Sequence, residues 1–125
     1  MRDEWYGDKR DLVKWSVLLE LAQRYDAKHI LQVLYYRPSE WKGVNIAGDD
    51  VGLNPAVLRH FRDPFSISKI VCNPCIEIVP DVFIHRNEYH SEVLKRIRLR
   101  TKLPGIVFLD PDTGFRSCAS MALNM

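Results

Sequence analysis

A chain of 125 residues, 46% hydrophobic and 27% charged, has the balance of one globular domain with a single core, which excludes a disordered tail. Eighteen basic against sixteen acidic residues leave a formal charge of +2, too near neutral to mark a polyanion or membrane binder by itself. Three cysteines, an odd number, do not make a secreted disulfide framework, and the charged start "MRDEWYGDKRD" leads into no apolar stretch long enough for a signal peptide or a span, so a cytoplasmic site is expected.

In chain order, "DKRDLVKWSVLLELAQRYD" predicts an amphipathic helix, because Leu12, Trp15, Leu18, Leu19, Ala22 and Tyr25 recur at spacings of three and four, with Asp8 or Asp11 as its cap. "KHILQVLYYRP" then reads as a buried strand ended by Pro38. Residues 37–53 carry several glycines and no clear period, which predicts a long loop. "NPAVLRHFRD" marks a short helix, with Asn54 as cap and Pro55 at the first helical position. "SKIVCNPCIEIVP" offers two β-prone pieces around an Asn-Pro turn. "RNEYHSEVLKRIRLR" predicts a helix burying Tyr89, Val93, Leu94 and Ile97, closed by Leu103, Pro104 and Gly105, and "IVFL" predicts a second strand. This alternation implies one α/β domain over residues 1–125, small and three-layered like a Rossmann fold, with a short, mainly parallel sheet.

In an open parallel sheet, ligands bind where the strands end at their carboxyl edge. The strand "IVFL" delivers Asp110 and Asp112 to that edge inside "DPDTG", followed by Thr113 and Gly114. Two carboxylates so placed suit a divalent metal, an oriented amine or hydroxyl, or acid–base work. The alternative is a plain turn, with the aspartates bonding backbone amides and Gly114 at positive φ. Gly7, Asp8, Lys9 and Arg10 stand at the start of the first helix, where backbone amides and cations can take an anion, although a charged cap is the commoner use of such residues.

Two further constellations carry chemistry. Cys72 and Cys75 in "CNPC", with His85 and His90 downstream, offer the ligand types of a zinc site, against simple burial among Ile70, Val71, Ile76 and Ile78. Residues 86–102 set six basic residues against Glu88 and Glu92; Lys95, Arg98 and Lys102 form a face suited to nucleic-acid phosphates, with Tyr35, Tyr36 or Trp41 available to stack on bases. A solvated charged face and core aromatics are the ordinary alternative.

Taken together, "WYGDKRDLVKW" and "IVFLDPDTGF" resemble, in order and spacing, a group of little-characterised bacterial and phage proteins with a Rossmann-like core. More distantly the chain is similar to class I S-adenosylmethionine-dependent methyltransferases and to three-Cys-motif partner proteins. In amino-group methyltransferases an Asp-Pro-Pro-aromatic motif at a strand end holds the target amine; Asp110 and Pro111 match its first two positions, and Gly7 with Lys9 loosely matches an N-terminal Gly-Lys element. The chain departs from that pattern at Asp112, where the second proline would stand, and after "HILQVLYY", where no glycine-rich cofactor loop follows. The resemblance also implies further strands after the DPDTG turn, so a shortened chain is expected.

The resemblance implies a nucleic-acid-modifying, methyltransferase-like function, active or lost, with S-adenosylmethionine as cofactor and Asp110 orienting the substrate group. Two other classes stay open. One is a non-enzymatic phage or mobile-element module that binds a protein or a nucleic acid. The other is a metal-dependent nuclease or phosphatase using Asp110 and Asp112, since an apolar run ending in Asp-x-Asp is similar to the first motif of haloacid-dehalogenase-type phosphatases. An exposed sheet edge would favour a homodimer.

Overall fold

The computed structural model describes Arg2 and residues 6–38, 43–100 and 102–111. Helix α1 spans Lys9–Arg24; strand β1, His29–Val33; strands β2 and β3, Gly43–Ile46 and Asp49–Gly52; helix α2, Pro55–Phe61. A 3-10 helix over Pro64–Lys69 leads to strand β4, Cys75–Ile78, then helix α3, Arg86–Leu99, and strand β5, Gly105–Leu109. Strands β4, β1 and β5 form a parallel sheet with β1 in the centre, while β2 and β3 make a separate antiparallel hairpin. The expected small α/β domain is therefore present.

Both faces of the sheet are covered, which is why β1 is apolar on both. Ile30 lies in register with Ile76 and Ile106, and on this face Trp15, Leu18 and Ala22 of α1 and Ile67 of the 3-10 helix close the larger core. On the other face Leu31, Val33 and Tyr35 pack with Val79 and with Tyr89 and Val93 of α3. Helix, sheet and helix thus make three layers.

Four local expectations are corrected. The stretch 37–53 contains the β2–β3 hairpin, whose Ala47–Gly48 turn has both residues at positive φ (53° and 90°), the geometry that matches the twist of paired strands. Gly43 is required there by close approach, since a Cβ would lie 2.6 Å from the Val51 carbonyl oxygen. Only the second piece of "SKIVCNPCIEIVP" is a strand; the first belongs to the 3-10 helix and the bend after it. Leu94 is exposed, because α3 buries the stripe of Tyr89 and Val93 with Ile97 beside it. Strand β1 stops at Val33, and beyond it Tyr35 adopts φ 51°, its amide donating to the buried Tyr89 hydroxyl at 2.8 Å.

Among the described residues no helix is long and apolar enough to cross a membrane.

Candidate functional site

Asp8 caps α1, its Oδ1 accepting from the amides of Arg10 and Asp11 at 2.9 and 3.0 Å. The other candidate cap, Asp11, turns inward: it shares the spacing of Trp15, Leu18 and Ala22, so helical periodicity places a carboxylate on the core-facing stripe. Its Oδ2 accepts from the Gly7 amide at 2.7 Å, a variant of the capping box in which the third helical residue reaches back beyond the cap. Gly7 has φ 82°, a conformation glycine adopts without strain.

Strand β5 brings Asp110 to the same place. The Asp110 amide continues the ladder to the Val33 carbonyl at 3.0 Å, and strand alternation aligns Asp110 with Ile106 and Phe108 on the α1 face. From β1, Gln32 faces the same way. Lys14, one helical turn beyond Asp11, completes the cluster: its Nζ donates to Asp110 Oδ1 at 2.7 Å and lies 3.5 Å from Asp11 Oδ1. Gln32 Nε2 donates to Asp110 Oδ2 at 3.2 Å.

Asp11, Gln32 and Asp110, with 6%, 1% and 6% of their surface exposed, are the buried polar residues among those described, and all three belong to this one cluster. Gln32 Oε1 is buried with no hydrogen-bond partner among the described residues. Buried polar atoms are normally paired, so an open acceptor here marks the cluster as a place where a donor would be welcome. Lys14 remains about one third exposed, which keeps the cluster in contact with solvent.

The electrostatics follow from this placement. Burial pushes the Asp11 carboxyl above its usual 3.8; the Gly7 amide and Lys14 oppose the rise, while the charges of Asp110 and Asp8 add to it. Burial pulls Lys14 down, but its hydrogen bond to Asp110 and the charges of Asp110 and Asp11 outweigh that and hold the ammonium above its usual 10.5. Both groups bind their proton more tightly in the folded state, so both lose stability as pH rises, each in its own window. A carboxyl raised on folding binds its proton more tightly in the folded state, so the stability it adds at low pH is lost as pH rises from 3.8 through the higher folded value. The raised lysine stabilises fully below 10.5, and that contribution is lost as pH rises through its folded value. Chemical unfolding across pH should accordingly show an Asp11→Asn variant lacking the acid-side component and keeping the alkaline one.

The other sequence candidates are dispersed. Lys9 and Arg10 are exposed in the first turn of α1. Asp112, Thr113 and Gly114, as well as Trp41, lie outside the described residues. Cys72 and Cys75 are free and exposed, His85 is the backbone cap of α3, and His90 Nε2 is 3.2 Å from the Tyr35 hydroxyl. Among the described residues no three His, Cys, Asp or Glu side chains gather as a metal site would require, so Cys72, Cys75, His85 and His90 are not brought together as a zinc set.

Much of the charge on α3 is taken up inside the molecule. Arg96 pairs with Glu77, Asp81 and Glu92, Arg100 pairs with Glu77, and Lys95 lies 3.9 Å from Glu92. Lys95, Arg98 and Lys102 are exposed. Tyr35 packs its ring against Phe83 and Tyr89, and Tyr36 against Phe65, so these two aromatics serve the core and not a base-stacking platform.

Reasoning from the sequence missed Asp11, Lys14 and Gln32 as site residues. Signals for two of them were present: an acid in the core register of a helix, and a lone polar residue inside the apolar run "HILQVLYY". Lys14 carried none, because its partner is 96 residues away. No protein-family model matches the chain, and comparison with the curated proteins and with the solved structures finds no significant match.

Proposed function

We propose that this chain is a Rossmann-like relative of nucleic-acid-modifying, methyltransferase-like enzymes, with its working site at the carboxyl edge of the sheet, where Asp110 meets Lys14. The observation that supports it is the meeting itself. The helix that begins within "GDKRD" and the aspartate of "LDPDTG", the two stretches on which the resemblance rests, are joined by a 2.7 Å bond at the ends of β1 and β5. That edge is where parallel α/β sheets place their ligands.

The chemistry of the cluster suits a hydrogen-donating substrate group, such as the exocyclic amine of a base. Asp11 and Asp110 against one lysine leave an excess of negative charge, and Gln32 supplies an unfilled acceptor. Lys14, held as an ammonium by its two carboxylates, is a poor base and a good fixed cation; it keeps Asp110 oriented and has a further N–H to offer. Asp110 would accept from the substrate group, with Gln32 holding its second oxygen.

No glycine-rich cradle follows β1, because the glycines downstream of it build the β2–β3 hairpin. S-adenosylmethionine would have to be held by other residues of that edge, which makes the cofactor the first thing to test. In a thermal-shift panel, S-adenosylmethionine or its demethylated product should raise the melting temperature by several degrees, and Asp110→Asn should weaken the response to a short oligonucleotide added with it. A response to magnesium or manganese alone, abolished by Asp110→Asn, would replace this reading with a metal-dependent hydrolase. No response to any of these would leave a binding module.

A further inference from the structure

Strand β5 is one of the two edge strands of the parallel sheet among the described residues, and its outer side is built for pairing. In a parallel ladder alternate residues turn both backbone groups toward one neighbour. Lys28 donates to the Pro104 carbonyl and Asp110 donates to the Val33 carbonyl, so the even-numbered residues of β5 face β1. Gly105, Val107 and Leu109 therefore direct their N–H and C=O groups outward, where no described residue meets them.

The usual protections of an edge are missing from this strand. "GIVFL" contains no charge and no proline, and the five residues pair one to one with β1 without a bulge. Val107 and Leu109 are exposed, as are Leu99 and Leu103 nearby. Beside the strand, on the α3 face, lies a hollow of about 150 Å³ walled by Leu31, Ile97, Leu103 and Val107. His29 lies over Gly105 at one end of it, where a Cβ on the glycine would run into the imidazole ring.

From this arrangement we infer that the chain forms a two-fold dimer by antiparallel pairing of β5 with β5 of a second copy, centred on Val107. The geometry is self-complementary, as an isologous interface requires. A two-fold axis at Val107 sets Val107 opposite itself and Gly105 opposite the copy's Leu109, and these are the residues whose backbone groups point outward. Each such pair exchanges both of its N–H···O=C bonds. The copy's Leu109 then stands beside Gly105 and the His29 ring that covers it, at the mouth of the hollow, a contact repeated on both sides of the axis. The three strands of each copy become one continuous sheet, and the candidate site of each copy stays on the α1 face.

Sedimentation velocity on the full chain over a concentration series should show a monomer–dimer equilibrium. Val107→Pro removes the outward amide while leaving the ladder to β1 intact, and it should raise the dissociation constant roughly tenfold or more. A second variant does not depend on that proline being tolerated. With Cys72, Cys75 and Cys118 replaced by serine, Val107→Cys should form a disulfide-linked dimer when oxidised glutathione is added, because the hydrogen-bonded pair sets the two Cα atoms about 5.5 Å apart, within disulfide range. Ile84→Cys, more exposed than Val107 but away from the strand, should stay monomeric. A monomer at every concentration, a dimer indifferent to Val107→Pro, or cross-linking of Val107→Cys no faster than that of Ile84→Cys would overturn the inference.

Discussion

Replacing Lys14 with methionine is expected to lower the unfolding free energy at neutral pH by about 3 kcal/mol, far more than a typical surface lysine. Lys14 is the cation between Asp11 and Asp110, two carboxylates that are almost fully buried. Methionine keeps the aliphatic stem and removes only the charge, which leaves both carboxylates without a counter-ion. An exposed ion pair such as Arg24–Glu20, by contrast, is worth a few tenths of a kcal/mol to about 1 kcal/mol. The loss should shrink as pH falls and Asp11, with its raised pKa, takes up a proton. Urea unfolding at neutral and acid pH checks both the size and the trend.

A loss of about 3 to 4 kcal/mol is expected for Ile30→Ala. Ile30 is fully buried at the centre of β1, flanked by Ile76 and Ile106 and covered by α1. A cavity there cannot collapse easily, since the hydrogen-bonded strands on both sides fix the spacing. Ile46, at the exposed tip of the hairpin, is the control: Ile46→Ala should change stability by less than about 0.5 kcal/mol in the same unfolding experiment.

The sequence signals that held were those with a period or a cap behind them. The stripe Trp15, Leu18, Ala22 and the cap at Asp8 located α1; Asn54 and Pro55 located α2; the apolar runs located β1 and β5. The hairpin was hidden because its turn carries Ala47 at positive φ, where asparagine or glycine is the usual signal, and because β2 and β3 are short, with β3 exposed throughout. Asp110 was legible as a strand-end carboxylate. Its partners were not, because a contact between residues 14 and 110 is a property of the parallel sheet and of how α1 crosses it, which no local pattern encodes. The pairing of Arg96 was hidden for a related reason: its partners Glu77 and Asp81 come from the chain before the helix.

The central claim is that the start of α1 and the end of β5 form one interacting site, and a double-mutant cycle on Lys14→Met and Asp110→Asn tests it most directly. Unfolding free energies of the wild type, both single variants and the double variant should give a coupling of about 1 to 3 kcal/mol, with the double variant more stable than the sum of the single losses implies. Additive losses, within about 0.3 to 0.5 kcal/mol, would mean that Lys14 and Asp110 do not interact in solution and would contradict a shared site.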